Sequence, residues 1–221
     1  MINCVIFDMD GVVVNTEPLS HTANTAMYKS LGIDVPDEVY ATFMGNSDKN
    51  IIQKLKSLYD IKLPHEELLE EKYKYFFDAF DKSEDLSLMP GVKELIAELH
   101  AKGVKLILAS SSAKRKIERI FTRFGLHDYF DLIISGEDFE QSKPNPAIFN
   151  EAVAQSGFPK EECVVIEDST NGIKAAKAAG IYCIAYNSGQ GLPQDTSEAD
   201  MVITDYSEIN CQKLQQLNTA H

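Results

Sequence analysis

The sequence predicts an α/β protein: a Rossmann-like, doubly wound parallel sheet that carries an inserted, all-helical cap. Two observations lead to this fold class. Short apolar runs alternate with single segments of helical periodicity, and such an order needs crossover connections, which give a parallel sheet covered on both faces. Residues 16–86 interrupt this alternation, because they contain helical patterns but no convincing strand. A chain of 221 residues is long enough for one large domain with a modest insert.

The core elements follow from local periodicity. Apolar runs predict strands at 4–7, 104–109, 132–135, 164–166, 182–185 and 201–203. Apolar residues spaced three and four apart predict helices at 92–101, 113–124, 146–156 and 169–179. Each of these helices lies between two predicted strands or directly before one, as a doubly wound sheet requires.

The cap elements are predicted at 18–31, 36–43, 48–59 and 65–80. Pro18 suits the first turn of a helix, and Gly32 suits the position just after a helix ends. The alternative is that these helices pack directly on the sheet, but a crossover normally needs only one helix. We therefore expect a core at residues 1–15 and 87–221 and a cap at residues 16–86.

Composition excludes several classes of protein. Hydrophobic residues make up 44% of the chain and charged residues 25%, which is typical of a globular protein with a proper core. With 34 acidic and 21 basic residues the net charge is −13, so we expect neither nucleic acid nor an anionic membrane as a partner. There is no apolar run of 18 residues, and the N-terminus lacks the basic region of a signal peptide. The expected assembly is a monomer or a weak dimer.

The four cysteines have no metal-binding spacing. Cys4, Cys163 and Cys183 lie in apolar, strand-like segments, and no CxxC motif is present. Buried free thiols explain this pattern better than zinc or disulfides, and free thiols are typical of a reducing compartment. A cytoplasmic location is therefore expected.

Chemistry-bearing residues follow four of the predicted strands. Asp8 and Asp10 come after the first strand, Ser110–Ser112 after the second, Lys143 after the third, and Glu167 and Asp168 after the fourth. Since ligands of open parallel sheets bind outside the carboxyl ends of the strands, we expect these side chains at one site.

This residue set is typical of phosphoryl transfer. Clustered carboxylates need a compensating cation, and Mg²⁺ prefers a few carboxylates, waters and phosphate oxygens. Ser110 and Lys143 suit a phosphate, and backbone amides of the turn that contains Met9 add donors. Asp8 and Asp10 are two residues apart, so both can face one phosphorus: one as a nucleophile, the other as an acid and base. Gly11 allows the sharp turn that follows.

Each motif has a simpler interpretation when it is taken alone. The Asp-x-Asp-Gly sequence is often only a turn, and Ser110–Ser112 is a plausible helix N-cap. Lys143 lies in a loop where lysines are usually solvated, and Glu167 and Asp168 suit the first turn of a helix. Because the predicted topology places all four motifs at one edge of the sheet, we favour the catalytic interpretation.

The chain resembles the haloacid dehalogenase-like (HAD) superfamily, in its β-phosphoglucomutase and sugar-phosphatase branch with a helical cap. The matching stretches are VIFDMDGVV at 5–13, LASSS at 108–112, SKPNPAIF at 142–149 and VVIEDS at 164–169. They occur in the family's order and at its spacing. The match is specific for the superfamily and much less so for the substrate.

The resemblance implies roles for these residues. It implies that Asp8 is the nucleophile and Asp10 the general acid and base, with the phosphoryl group held by Ser110 and Lys143. It implies that Mg²⁺ is bound by Asp8, the Asp10 carbonyl and Asp168. Glu167 either binds the metal directly or contacts one of its ligands. It also implies a cap that closes on hinges near 15–17 and 86–91.

The branch contains both mutases and phosphatases, and the cap residues distinguish them. The candidates for substrate contact are Thr16, Glu17, His21, Gly45, Lys49, Ser112 and Lys114, with Met9 and Ser111 added on the phosphate side. His21 comes one residue later than the mutase histidine, which is about 100° around a helix. Lys49 is one residue away from the position where a mutase of this branch has an arginine. Mutases also have a lysine or a polar residue shortly after the position of Ser110, and here only Lys114 could take that role.

These departures favour a Mg²⁺-dependent phosphatase that hydrolyses small sugar or polyol phosphates through an aspartyl-phosphate. The first alternative is a β-phosphoglucomutase that interconverts β-glucose 1-phosphate and glucose 6-phosphate. A non-catalytic phospho-ligand binder is a second alternative, although it would not need both aspartates. A dehalogenase is disfavoured by Asp10 and by Glu167 with Asp168.

Overall fold

The computed structural model describes residues 1–217. Its centre is one six-stranded sheet in the order β3-β2-β1-β4-β5-β6, with every neighbouring pair parallel. The strands are β1 (Cys4–Phe7), β2 (Lys105–Ser110), β3 (Leu132–Ser135), β4 (Cys163–Glu167), β5 (Tyr182–Tyr186) and β6 (Met201–Ile203). This is the order of a doubly wound sheet, so the predicted fold class is confirmed.

Helices cover both faces of the sheet. The core helices are α5 (Val92–Ala101), α6 (Lys114–Phe124), α7 (Ala147–Ser156), α8 (Thr170–Ala178) and the short α9 (Cys211–Leu214). Residues of α5 and α6 belong to one buried apolar cluster, and residues of α7 and α8 belong to a second. The central strand β1 contributes Val5 and Phe7 to the first cluster and Cys4 and Ile6 to the second, as alternation along a strand requires.

The three cysteines of the strands are buried free thiols. Cys4 on β1 is the register partner of Cys163 on β4, and Cys183 lies on β5. This agrees with the interpretation of the cysteines as core residues.

All the regular secondary structure in the predicted cap segment is helical. It contains α1 (Glu17–Ser30), α2 (Asp37–Ala41), α3 (Asp48–Leu58) and α4 (His65–Lys82). Met27, Tyr28, Ile52, Leu55 and Leu68 form part of an apolar cluster of their own. In contrast, Phe76 and Phe80 at the C-terminal end of α4 belong to the sheet's cluster, so α4 packs on both parts.

The two connections between these parts run side by side. Val14 and Leu88 form an isolated antiparallel bridge. The Asn15 amide donates to the Ser87 carbonyl at 2.9 Å, and the Met89 amide donates to the Val13 carbonyl at 2.9 Å. This pairing begins a few residues after β1 ends, and it brings the cap over the carboxyl end of the sheet. Within residues 1–217, no helix combines the length and apolar character needed to cross a membrane.

Candidate active site

A cavity lies between the carboxyl ends of the strands and the cap. The core contributes to its lining Asp8, Asp10, Ser111, Ser112, Lys116, Asp168 and Ser169. The cap contributes Glu17, Ser20, Asn24, Tyr28, Tyr40, Phe43, Met44, Gly45, Asn46, Asp48, Ile51 and Lys72. The residues after β1, β2 and β4 therefore meet at one site, as the predicted topology required.

Asp8 is held by a buried lysine directly beyond the end of β1. Its backbone amide donates to the Ile166 carbonyl at 3.0 Å, which continues the pairing of β1 with β4. Lys143 Nζ donates to Asp8 Oδ1 at 2.6 Å, to Glu167 Oε1 at 2.7 Å and to the Ala109 carbonyl at 3.1 Å. Burial raises the pKa of Asp8 to about 7, although the charge of Lys143 acts against the increase.

Glu167 is fully buried and uses both of its oxygens within the protein. Oε1 accepts from Lys143, and Oε2 accepts from the Asp168 amide at 2.8 Å and from the Ser169 amide at 2.9 Å. A Cβ on Gly172 would come within 1.7 Å of Glu167 Oε1, so a glycine is needed there. The geometry indicates that Glu167 orients Lys143 and the start of α8, rather than facing a metal directly.

Asp10 receives three donors. Ser112 Oγ donates to Oδ2 at 2.6 Å, and the Thr16 hydroxyl donates to Oδ1. Lys116 Nζ lies 2.8 Å from Oδ1. Burial alone would raise the pKa of Asp10, but the charge of Lys116 and the three hydrogen bonds together lower it. The pKa of Glu17 is raised instead. Burial and the nearby charge of Asp10 together raise it to about 7.

Asp168 is a buried carboxylate close to two others, Glu167 and Asp8. Burial raises the pKa of Asp168, and the charges of Glu167 and Asp8 raise it further. Gly11 has φ of 78°, and a Cβ there would come within 2.0 Å of Asp168 Oδ2, so the turn after Asp10 must approach this carboxylate closely. In residues 1–217 no group of three or more acidic, histidine or cysteine side chains is placed so that it could hold a metal ion by itself. The ligands that the resemblance implies are the Asp8 and Asp168 carboxylates and the Asp10 carbonyl. These are oxygen donors of the kind that suit Mg²⁺, which keeps waters and phosphate oxygens as its other ligands.

The three serines after β2 have different surroundings. Ser110 is fully buried and does not line the cavity; its Oγ accepts from the Ser112 amide at 3.1 Å. Ser111 Oγ donates to the Gly45 carbonyl at 2.7 Å, which joins the core to the cap. Met9 is also fully buried, so only its backbone is available to a ligand.

Four of the predicted substrate-contact residues do not line the cavity. One of them, Thr16, still contacts Asp10. The other three, Lys114, Lys49 and His21, have partners elsewhere or lie on the surface. Lys114 is 63% exposed and pairs with Asp138 at 2.6 Å on the outer surface. Lys49 is exposed and lines a different surface depression. His21 is half-exposed, with Nε2 at 3.3 Å from Asp37 Oδ1. The residue before it on α1, Ser20, lines the cavity instead, because adjacent residues point about 100° apart around the helix.

Sequence reasoning missed the two lysines that do line the cavity. Lys116 belongs to the buried face of α6 with Ile117 and Ile120, and this interruption of an apolar stripe was a usable signal. Lys72 in α4 pairs with Asp48 at 2.5 Å, and both residues are buried. No local pattern predicts that pair, because its partners lie on different helices.

The fold and the cavity define a capped α/β enzyme whose acidic site lies at the end of the first strand. The family model described as haloacid dehalogenase-like hydrolase matches residues 5–186, and the chain belongs to this family. The resemblance seen in the sequence is thus confirmed at the level of the family, as is the expectation of an enzyme.

Two curated relatives are similar in sequence to this chain over most of its length. One is the protein SUPPRESSOR OF QUENCHING 1, chloroplastic, of Arabidopsis thaliana, 36% identical over 83% of this chain, which spans only 18% of that protein. The other is a phosphorylated carbohydrates phosphatase of Thermotoga maritima, 34% identical over 85% of this chain and 88% of the relative.

Solved structures agree on the architecture. CbbY from Rhodobacter sphaeroides, solved in complex with phosphate, matches with a TM-score of 0.85 and 28% identity, over 97% of this chain and 100% of that chain. A β-phosphoglucomutase from Clostridium difficile has the same TM-score at 24% identity, over 98% of this chain and 96% of that one. The second likeness shows the shared fold alone.

Proposed function

We propose that this protein is a Mg²⁺-dependent phosphatase that hydrolyses small sugar or polyol phosphates through an aspartyl-phosphate on Asp8. The observation that carries the proposal is the different environment of two neighbouring carboxylates. Asp8 is held by Lys143 at 2.6 Å, whereas Asp10 has a different set of partners that includes Ser112 and Lys116. This division supports a nucleophile and a separate acid and base acting on one phosphorus.

Asp8 is the proposed nucleophile. Lys143 fixes Oδ1, and its charge favours the ionised carboxylate that attack requires. Bound at the carboxylates of Asp8 and Asp168 and the carbonyl of Asp10, Mg²⁺ would neutralise phosphate charge. Lys143 offsets part of the same charge from the buried side of the site.

Asp10 is the proposed acid and base. Its lowered pKa keeps Asp10 ionised before a substrate binds. A phosphate that binds beside it brings like charge, which raises the pKa of Asp10. The carboxyl group then takes up a proton from solvent and donates it to the leaving oxygen as the bond between that oxygen and phosphorus breaks. After that transfer the ionised carboxylate can take a proton from the attacking water, and Thr16 and Ser112 hold it in place for both steps.

Two further observations support a phosphatase over a mutase. His21 and Lys49, which would have to contact substrate in a mutase, lie outside the cavity lining. The phosphatase name of the Thermotoga maritima relative, which this chain matches over most of its length, points in the same direction.

Phosphate release from sugar, polyol and nucleotide monophosphates, measured with Mg²⁺ and with EDTA, tests the proposal. We expect release from sugar or polyol phosphates that stops in EDTA. A parallel reaction contains β-glucose 1-phosphate with a trace of glucose 1,6-bisphosphate and is assayed for glucose 6-phosphate. Rapid isomerisation with little free phosphate would contradict the proposal and identify a mutase.

A further inference from the structure

Lys116 on α6 has two partners that come from different parts of the molecule. Its Nζ lies 2.8 Å from Asp10 Oδ1, in the core, and 4.7 Å from the ring centroid of Phe76, on the cap helix α4. Lys116 is 8% exposed and Phe76 is 4% exposed. Because an aromatic face attracts an ammonium group, and does so more strongly where water is excluded, both contacts restrict the position of Nζ.

Three arginines fix the position of α4 along α6. They are the three arginines of the chain, and they are four residues apart on α6, so they lie on one side of that helix. Each lies over an aromatic ring of α4: Arg115 is 3.5 Å from the centroid of Tyr73, Arg119 is 4.6 Å from that of Phe77, and Arg123 is 5.0 Å from that of Phe80. Phe76 lies within this aromatic segment, so the packing that joins the two helices also presents its ring to Lys116.

Phe76 itself does not belong to the cavity lining. Its ring is part of the sheet's apolar cluster and stacks on Phe80, with the two ring centroids 6.1 Å apart. Its ring partners in residues 1–217 are Phe77, Phe80 and Lys116, and of these three the cavity lining includes Lys116. A substrate in the cavity thus meets Lys116 and not Phe76, so Phe76 can act on the reaction through Lys116.

The ring differs from other partners in its effect on the cation. A carboxylate or carbonyl at the same place would compete with Asp10 for the N–H groups of Lys116, and an aliphatic side chain would not attract the ammonium group. The aromatic face attracts the ammonium group and leaves its N–H groups available to the carboxylate. The pairing of Lys116 with Asp10 therefore depends on the ring.

We propose that Phe76 is a positioning residue for the acid and base: by holding the Lys116 ammonium group, it keeps the Asp10 carboxylate in the orientation that proton transfer needs. The inference rests on the proposed phosphatase function, in which Asp10 transfers the proton, and it adds a cap residue that does not touch the substrate. Ser112 Oγ donates to the other oxygen of Asp10, Oδ2, at 2.6 Å, so both oxygens of the carboxylate are held.

Phe76→Leu is the primary test, because it removes the aromatic face and keeps an apolar side chain in the cluster. Steady-state phosphate release is measured with Mg²⁺ and the sugar or polyol phosphate that the wild-type protein hydrolyses fastest. We expect kcat to fall about tenfold while KM stays within about twofold, since the lost contact acts on the reaction and not on substrate binding. Phe76→Tyr keeps the ring and should retain at least about a third of the wild-type kcat.

Phe80→Leu is the matched control. Phe80 is 5% exposed, lies on the next turn of α4 in the same apolar cluster, and contacts Arg119 and Arg123 instead of Lys116. This variant should keep kcat within about twofold. Circular dichroism first confirms that both leucine variants are folded, and Phe76→Met replaces Phe76→Leu if the latter is not.

A double-mutant cycle separates positioning from packing. If Phe76 acts through the ammonium group of Lys116, Phe76→Leu should change kcat by less than about twofold in a protein that already carries Lys116→Met. A further tenfold loss in that protein, an equal loss in Phe80→Leu, or an unchanged kcat in Phe76→Leu would each overturn the inference. A Phe76→Tyr variant as slow as Phe76→Leu would contradict the role of the ring.

The outcomes separate the inference from the proposed function. No phosphate release by the wild-type protein from any sugar, polyol or nucleotide monophosphate with Mg²⁺, or full turnover in Asp10→Asn, would contradict the proposed function and its acid and base. Wild-type turnover that requires Asp10 but is unchanged in Phe76→Leu would overturn the role of Phe76 alone.

Discussion

Lys116 Nζ lies 2.8 Å from Asp10 Oδ1, whereas Lys114, two residues earlier on α6, pairs with Asp138 on the outer surface. Two residues correspond to about 200° around a helix, so only one of these lysines can face the cavity. Lys116 also lies 4.7 Å from the Phe76 ring centroid, and it is 8% exposed. The cation nearest the proposed acid and base therefore comes from the buried face of α6.

Lys116→Met should lower kcat about a hundredfold with Mg²⁺ present, because Asp10 loses its only charged donor among the described residues. Lys114→Met is the matched control, since it removes an exposed lysine of the same helix, and it should keep kcat within about twofold. Steady-state phosphate release at pH 7 gives both values. Equal losses in the two variants would contradict the assignment of Lys116.

Asp10→Asn should reduce kcat about a thousandfold or more, since an amide cannot transfer the proton assigned to this carboxylate. Metal binding, measured by calorimetric Mg²⁺ titration, should be largely intact, because the proposed contact of Asp10 with the metal is its backbone carbonyl. Asp34→Asn changes an exposed carboxylate of the cap and serves as the control. Undiminished turnover in Asp10→Asn would remove the acid and base assignment.

Lys72→Met should lower the free energy of unfolding by about 3 kcal/mol at pH 7, because it leaves the buried Asp48 carboxylate without its cation. In the wild type the lowered pKa of Asp48 stabilises the fold above the unfolded-state pKa, and this contribution is lost as pH falls through the folded-state pKa. In the variant, burial raises the pKa of Asp48, so the penalty fades as the carboxyl group is protonated. The difference between variant and wild type should thus be smaller at pH 4 than at pH 7.

Urea unfolding at both pH values measures the effect of Lys72→Met. Lys62→Met is the comparison, since Lys62 pairs with Asp60 on the surface and both side chains are more than 80% exposed. That exposed pair should contribute less than about 0.5 kcal/mol. A Lys72→Met penalty that is equally large at pH 4 and pH 7 would show that lost packing, not charge, is responsible.

Three arginines of α6 contact the cap helix α4. Arg123 donates to the Phe80 carbonyl at 2.9 Å, and the other two pair with carboxylates of α4. Arg115 forms a bidentate pair with Glu70 and lies 3.5 Å from the Tyr73 ring centroid, and Arg119 pairs with Asp81. Each exposed contact contributes on the order of 0.5–1 kcal/mol. Removing both by Arg115→Ala with Arg119→Ala should therefore make cap opening about tenfold more frequent.

Hydrogen–deuterium exchange checks this prediction about α6 and the cap. The readout is the segment around Gly45, whose carbonyl accepts from Ser111 across the boundary between cap and core. It should exchange about tenfold faster in the double variant, provided that exchange proceeds through cap opening. Lys93→Ala, an exposed cation of α5, is the control and should exchange as the wild type does. An unchanged rate in the double variant would show that the arginines do not hold the cap.

Much of the fold was predictable because each element carries its own periodic signal. The predicted strands at 4–7, 132–135 and 201–203 agree with β1, β3 and β6 residue for residue, and the other three differ by one residue at one or both ends. The same topology argument brought Asp8, Asp10, Lys143 and Asp168 to one edge of the sheet. The cap and core boundaries, the site roles, the cytoplasmic location and the assembly state remain predictions.

The sequence by itself determined the sheet, its helical layers and the strand ends that carry the acidic residues, since these depend on local periodicity and on the direction of parallel strands. Only the tertiary structure decided which side chains face the cavity: Lys116 and not Lys114, Ser20 and not His21, Ser111 and Ser112 and not Ser110. It also joined Asp48 to Lys72 from separate helices. The physical reason is that orientation around a helix axis and contacts between distant helices are set by packing of the whole molecule, which no local pattern encodes.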